Sequence, residues 1–153
     1  NIVGTDISPY RRELALKMGA TLVIDPTKEN LRDKMENLNM VGGFDIGLEC
    51  SGSSVAFNEM VNNMYNGGKI SLLGLLPTST QINWSRLIFK GLTLKGIYGR
   101  EMYETWYQME MMLLTGLNIS KVITHCFSAE RYQEAFDIME AGNCGKIILD
   151  WEQ

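Results

Sequence analysis

The chain has 153 residues, 45% hydrophobic and 21% charged, with 15 glycines and three prolines. This composition excludes a disordered or collagen-like chain, and at this length folding buries roughly 70% of the surface, so neither metal nor disulfide is needed for stability. A net charge of −4 without a basic run excludes a nucleic-acid surface, and no apolar stretch is long enough to predict a membrane span.

The first two thirds of the chain alternate predicted strands and helices. Apolar or β-branched runs predict strands over residues 2–5, 21–24, 44–49, 69–73 and 92–97. Helical spacing predicts helices between the first four of them. Ser8-Pro9 predicts the start of the first helix, Gly19 its end, and Gly67-Gly68 the end of the third. The alternation predicts an α/β fold with a doubly wound parallel sheet.

The last third of the chain has a different residue pattern. Its pattern predicts a helix over residues 103–115, a strand over 122–124, a helix capped by Ser128 and a strand over 147–150. Four methionines at or near the first of these helices predict adaptable core or interface packing: Met102, Met109, Met111 and Met112.

Asp6 is the most informative single residue, because it follows the first predicted strand. Ligands of open α/β sheets bind beyond the carboxyl ends of the strands, and an acid there can accept both hydroxyls of an adenosine ribose. Its charge favours NAD over NADP, while Arg11 and Arg12 keep NADP open. The alternative is a loop acid stabilised by the following helix N-terminus.

Small residues follow three later strands and predict close approach of a ligand at the same edge. These junctions begin at Cys50, Gly74 and Tyr98. No G-x-G-x-x-G loop is present, and an acid at the end of a second strand lies about 20 residues after such a loop. We therefore expect the chain to lack the first βα unit of a nucleotide-binding fold.

No catalytic or metal-ligating residue is predicted in this chain. His125 is the single histidine and is interpreted as structural, because zinc needs three or four tetrahedral ligands. The cysteines Cys50, Cys126 and Cys144 show no ligand spacing and predict free thiols in a reducing, cytoplasmic compartment.

Nearly the whole chain resembles the C-terminal part of zinc-dependent, medium-chain L-threonine 3-dehydrogenases. The specific run is Gly-Ile-Tyr-Gly-Arg-Glu-Met, from Gly96 to Met102, followed by Glu-Thr-Trp-Tyr from Glu104 to Tyr107. Further matching runs are Thr5-Asp6, Tyr10-Arg11, Glu13-Leu14-Ala15, Lys17-Met18-Gly19, Gly43-Phe44-Asp45, Gly47-Leu48-Glu49, Leu73-Gly74, Ile88-Phe89-Lys90-Gly91, Ile123-Thr124-His125 and Phe127-Ser128.

The resemblance implies an oxidoreductase that converts L-threonine to 2-amino-3-oxobutanoate with NAD⁺, with zinc held by the full-length parent only. It implies that Asp6 and Arg11 bind the adenosine ribose, and that the nicotinamide side is lined by Leu73, Gly74, Leu75, Ile97 and Tyr98. Residues 1–117 would be a partial NAD-binding Rossmann domain, and residues 118–153 a segment of the catalytic domain. The isolated chain would be inactive.

Assembly and two alternative functions complete the expectations. The apolar strand from Leu92 to Ile97 predicts a sheet edge and a homodimer through it, with a tetramer in the parent. We expect no nucleic-acid or membrane partner. The alternatives are a fragment of another zinc-type polyol or alcohol dehydrogenase, or a stand-alone flavodoxin-like binding module.

Overall fold

In the computed structural model, which describes residues 1–152, helices and strands alternate along most of the chain. Two short 3₁₀ turns, Ser120–Val122 and Ala129–Arg131, flank β6. The elements in chain order are β1 (Val3–Thr5), α1 (Pro9–Lys17), β2 (Leu22–Ile24), α2 (Leu31–Asn37), β3 (Phe44–Glu49), α3 (Ser54–Asn63), β4 (Met64–Leu72), α4 (Trp84–Lys90), β5 (Thr93–Gly96), α5 (Glu104–Leu114), β6 (Ile123–Ser128), α6 (Tyr132–Glu140) and β7 (Lys146–Asp150).

Two units can be distinguished. Unit 1 comprises Asn1–Asn30 and the described part of Met102–Gln153, and unit 2 comprises Leu31–Glu101. In unit 1, β1 pairs in parallel with β2, and β6 pairs in parallel with β7. Among the described residues, no helix is long and apolar enough to cross a membrane.

Unit 2 contains a three-stranded parallel sheet in the order β3-β4-β5. Its core lies between this sheet and the helices α3 and α4, and consists of Phe57, Val61, Met64, Ile70 and Leu87. All strand pairs in the described residues are parallel, which confirms the predicted α/β class. β5 pairs only with β4 there, so it is an edge strand as predicted.

The start of α1 follows its sequence signals. The Ser8 hydroxyl accepts a hydrogen bond from the Arg11 backbone N–H at 3.4 Å, and Pro9 occupies the first helical position. Gly19 follows the helix with a φ of +102°, a conformation in which glycine has no Cβ to strain. Ser8 and Pro9 therefore define where α1 begins after β1, and Gly19 lies where the helix ends.

Unit 2 differs from the sequence pattern in two places. The chain between β4 and β5 forms α4, for which no helix was predicted, although Asn83 caps it through the Arg86 N–H at 3.0 Å. Gly67 and Gly68 lie inside β4 rather than after α3, because α3 ends at Asn63. A Cβ on Gly68 would come within 2.8 Å of the Met64 methyl group, so strand packing explains that glycine.

The last third also differs in detail from its sequence pattern. Ser128 precedes a 3₁₀ turn, and its side chain makes no capping hydrogen bond, so the predicted cap is wrong. His125 lies within β6 rather than after a strand; its Nδ1 is 2.9 Å from the Thr124 hydroxyl. No residue of α5 is buried within the described chain, so its methionines do not form a core there.

Candidate functional site

Asp6 follows β1 directly and is half-buried. Its backbone N–H donates to the Ile24 carbonyl at 3.2 Å, which extends the pairing of β1 with β2 by one residue. The Ser8 N–H donates to Asp6 Oδ1 at 2.8 Å. No residue among 1–152 forms a hydrogen bond with Asp6 Oδ2, so the strand end presents one carboxylate oxygen that a ligand hydroxyl could reach.

The two arginines of α1 have different surroundings. Arg12 Nη1 donates to the Asp6 carbonyl at 2.6 Å and lies 3.3 Å from Asp25 Oδ2. The Arg11 side chain is exposed, and within the described chain its guanidinium forms no hydrogen bond or ion pair. Arg12 thus stabilises the turn after β1, whereas the Arg11 guanidinium has no partner within the described residues.

Asp25 is a strand-end acid that the sequence analysis missed. It follows β2 and is buried. The Thr27 hydroxyl donates to its Oδ1 at 2.6 Å and the Thr27 N–H at 3.1 Å, while Lys28 lies 3.4 Å from Oδ2. These hydrogen bonds, with the nearby Lys28 and Arg12 cations, hold the pKa of Asp25 below its ordinary value, although burial acts in the opposite direction. Its position directly after β2, a strand that contains β-branched residues, is the sequence signal that could have identified it.

The predicted residues of unit 2 gather at the ends of β4 and β5. The N–H groups of Leu73 and Gly74 donate to the Glu49 carbonyl at 2.8 and 3.0 Å, and the Ile97 N–H donates to the Leu72 carbonyl at 2.8 Å. These bonds place the turn after β4 against the ends of both neighbouring strands. The larger residues predicted for the nicotinamide side form an exposed apolar group. Their exposed fractions are 55% for Leu73, 92% for Leu75, 38% for Ile97 and 99% for Tyr98.

Glu49, the last residue of β3, is a second acid that sequence reasoning did not single out as a site residue. Its residue surface is only 1% exposed. Its carboxylate accepts hydrogen bonds from the Ser51 N–H at 2.9 Å, from the Ser51 hydroxyl, and from the Gly52 N–H at 3.1 Å. Its position at the end of an apolar strand did not indicate that this acid would be buried.

Metal ligation has no candidate in the described residues. No three histidine, cysteine, aspartate or glutamate side chains among residues 1–152 are grouped so that they could hold a metal ion. The cysteines are free thiols, with Cys50 and Cys126 exposed and Cys144 buried. The described residues therefore do not fit a zinc ion.

Two surface depressions in unit 2 lie outside the predicted site. The larger, about 470 Å³, is lined mainly by α3 and includes Glu59, whose pKa is raised by burial. The smaller, about 270 Å³, is lined by Asp45, Ile46 and residues 66–69. Neither includes a predicted site residue, so the strand ends remain the better candidate.

The sequence model of a zinc-binding dehydrogenase family matches residues 1–115. The chain belongs to this family. It is 55% identical over 152 residues to the L-threonine 3-dehydrogenase of Alteromonas mediterranea, a match that covers 99% of this chain and 45% of that protein. It is also 55% identical to the L-threonine 3-dehydrogenase of Paraburkholderia phytofirmans, over 99% and 44% of the two chains. The resemblance to L-threonine 3-dehydrogenases is thereby confirmed.

Solved structures support the same fold. The 2R,3R-butanediol dehydrogenase of Bacillus subtilis matches with a TM-score of 0.83 and 21% identity, over 95% of this chain and 42% of that one. The L-idonate 5-dehydrogenase of Escherichia coli matches with a TM-score of 0.80 and 21% identity, over 96% and 42%. The chain spans slightly less than half the length of the relatives it matches.

Proposed function

We propose that this chain is part of an NAD-dependent, zinc-containing L-threonine 3-dehydrogenase, which oxidises L-threonine to 2-amino-3-oxobutanoate in the cytoplasm. The observation that carries this proposal is the 55% identity, over 152 residues, to a relative named for that activity. The specific run from Gly96 to Met102 supports this choice over another polyol or alcohol dehydrogenase.

Asp6 and Arg11 would hold the adenosine ribose. The uncommitted Asp6 Oδ2 suits a ribose hydroxyl, because a carboxylate accepts hydrogen bonds and repels a 2′-phosphate. Arg12, already bound to the Asp6 carbonyl and paired with Asp25, is not placed to offset that repulsion. This arrangement favours NAD over NADP, with the exposed Arg11 as the remaining cation.

The exposed group after β4 and β5 would line the nicotinamide side. Leu73, Gly74, Leu75, Ile97 and Tyr98 offer apolar surface and backbone groups that suit a flat ring. NAD⁺, when bound, supplies the hydride acceptor. The residues of this chain orient that ring and exclude water from one of its faces.

Sheet topology supports a place in a Rossmann domain. A doubly wound sheet has the strand order 3-2-1-4-5-6. Without strand 1, that order leaves one parallel pair and one parallel triplet, which is the pairing seen in β1-β2 and β3-β4-β5. We propose that residues 1–117 belong to the NAD-binding domain, that residues 118–153 belong to the catalytic domain, and that zinc ligands and substrate-binding groups come from elsewhere in the longer protein.

A homo-oligomer through β5 is part of the proposal. The strand is an edge of its sheet within the described residues, and an unpaired edge can pair with a second copy across a two-fold axis. We expect a dimer of the 153-residue chain and a tetramer of the longer protein. Light scattering at tens of micromolar tests this expectation, and a strictly monomeric mass would contradict it.

Enzyme assay tests the proposed activity. The complete gene product that contains this sequence should form NADH from L-threonine and NAD⁺. Removal of zinc should abolish turnover, because zinc held elsewhere in the longer protein would supply a Lewis acid. The 153-residue chain, assayed alongside, should form none. Turnover of other secondary alcohols without turnover of L-threonine would overturn the substrate assignment.

A further inference from the structure

Glu49 is a buried acid without a cationic partner. Its residue surface is 1% exposed, and no lysine, arginine or histidine in the described chain forms an ion pair with it. Burial of a charged group is costly unless hydrogen bonds satisfy it, and an apolar residue would fill the same space more cheaply. The position of such a residue at a strand end therefore calls for an explanation beyond core packing.

The hydrogen bonds of Glu49 connect two turns. Its carboxylate accepts hydrogen bonds from the N–H groups of Ser51 and Gly52, which lie in the turn that follows β3. Its backbone carbonyl accepts from the turn that follows β4, through Leu73 and Gly74. One residue thus fixes the backbone of both turns.

The two turns are also in direct backbone contact. A Cβ on Gly74 would lie 2.3 Å from both Glu49 Oε2 and the Gly52 nitrogen, so the carboxylate packs directly on the Gly74 backbone. A Cβ on Gly52 would lie 2.8 Å from the Leu75 carbonyl oxygen. Gly52 has a φ of +69°, which the carboxylate supports through the Gly52 N–H. Displacement of the Glu49 carboxylate would release the packing that shapes residues 73–75.

We propose that Glu49 is a positioning residue, whose buried carboxylate holds residues 73–75 in the conformation that receives the nicotinamide end of the coenzyme. This inference rests on the proposed function, because it assigns Glu49 to the same coenzyme site. At 1% exposure the residue offers almost no surface to a ligand. It acts through the backbone of Gly52 and Gly74.

The test compares Glu49→Gln with Glu59→Gln in the complete gene product. Glutamine keeps the size of the side chain and one oxygen, but it replaces the other acceptor with a donor. Glu59 is a matched control on α3 of the same unit, and no described residue donates to its carboxylate. Glu49→Leu is a second variant, and Glu49→Gln decides the outcome if the leucine variant does not fold.

Two readouts separate positioning from general stability. Amide hydrogen exchange without ligand should be about tenfold faster at Gly52 in Glu49→Gln, because its N–H loses a charge-assisted hydrogen bond. Exchange should also be faster at Leu73 and Gly74, because their turn loses the packing of the carboxylate on Gly74. The Kd of NADH should rise about fivefold to tenfold, while the Kd of ADP-ribose, which has no nicotinamide, should change less than about twofold. Glu59→Gln should leave every value unchanged.

Four outcomes would overturn the inference. Equal weakening of NADH and ADP-ribose would show a structural role only, and unchanged exchange at Leu73 and Gly74 would show that Glu49 does not order that turn. Wild-type protein that binds neither ligand would overturn the proposed function and the inference with it. If wild type binds both ligands and Glu49→Gln has the same Kd values and exchange rates, the inference alone would be overturned.

Discussion

Two acids at parallel strand ends, Asp6 in unit 1 and Glu49 in unit 2, have opposite surroundings. Asp6 is half-buried, its Oδ1 accepts one N–H, and its Oδ2 has no partner in the described chain. Glu49 is buried, and both of its carboxylate oxygens accept hydrogen bonds from the turn after β3. The first acid therefore has an acceptor without a partner in the described chain, whereas the acceptors of the second are satisfied by the backbone of its turn.

This difference shows that position at a strand end does not define a binding residue. Asp6 directly follows β1 and Glu49 is the last residue of β3, and ligands of open α/β sheets bind beyond the carboxyl ends of strands. An acceptor that is already satisfied by N–H groups has little to offer a ligand, while its removal disturbs every group that it holds. Stability and coenzyme selectivity should therefore respond in opposite ways to substitution of the two acids.

The largest expected effect is on the free energy of unfolding of Glu49→Ala. Removal of the buried carboxylate leaves the part-buried N–H groups of Ser51 and Gly52 without their acceptor and opens a cavity, so the loss should be about 3 kcal/mol. The matched variant Asp6→Ala loses one partly exposed hydrogen bond and should cost about 1 kcal/mol or less. Denaturant unfolding of both variants measures the difference, and equal losses would contradict the comparison.

A smaller loss of stability is expected from Gly74→Ala. The added Cβ would lie 2.3 Å from Glu49 Oε2 and from the Gly52 nitrogen, so one turn must shift, at a cost of about 2 kcal/mol. Gly96→Ala is the control, because no atom lies within 4 Å of its Cβ position. If both substitutions leave the unfolding midpoint unchanged, the contact between the two turns is absent in solution.

The smallest effect concerns Asp25, a buried strand-end acid that, unlike Glu49, lies beside cations. Its pKa is held below the ordinary value of 3.8, so its stabilising contribution is full above that pH and is lost as the pH falls below it. Asp25→Asn should therefore lower the Tm at pH 6, and the difference from wild type should shrink below about pH 4. A difference that is independent of pH would show that the charge of Asp25 is irrelevant.

The elements with local signals could be predicted from the sequence. Ser8, Pro9 and Gly19 define the ends of α1, and strands such as Phe44–Glu49 show as apolar runs. Helix α4 was not predicted, although Asn83 and Gly91 flank it as capping residues. Its exposed apolar residues, such as Ile88 and Phe89, obscure an amphipathic pattern. The strand Phe44–Glu49 could be predicted although its burial does not follow residue polarity, since Ile46 and Leu48 are exposed and Glu49 is buried.

The candidate site divides in the same way. Asp6 could be predicted because its strand end is a position where ligands bind, and its role at the ribose remains a prediction. The roles of Arg12 and Glu49 could not be predicted, since the first depends on Asp25, 13 residues later, and the second on Gly74, in a separate turn. Such contacts arise only when the parallel strands pair.

The proposed contact of Asp6 with the ribose is measured by the ratio of the Kd values of ADP-ribose and its 2′-phosphate. This ratio should be measured for wild type, Asp6→Asn and Glu49→Gln in the complete gene product. Asparagine keeps an oxygen for the Ser8 N–H but removes the charge, so Asp6→Asn should shift the ratio about tenfold towards the 2′-phosphate. Glu49→Gln should leave the ratio at the wild-type value. An unchanged ratio in Asp6→Asn would contradict the account.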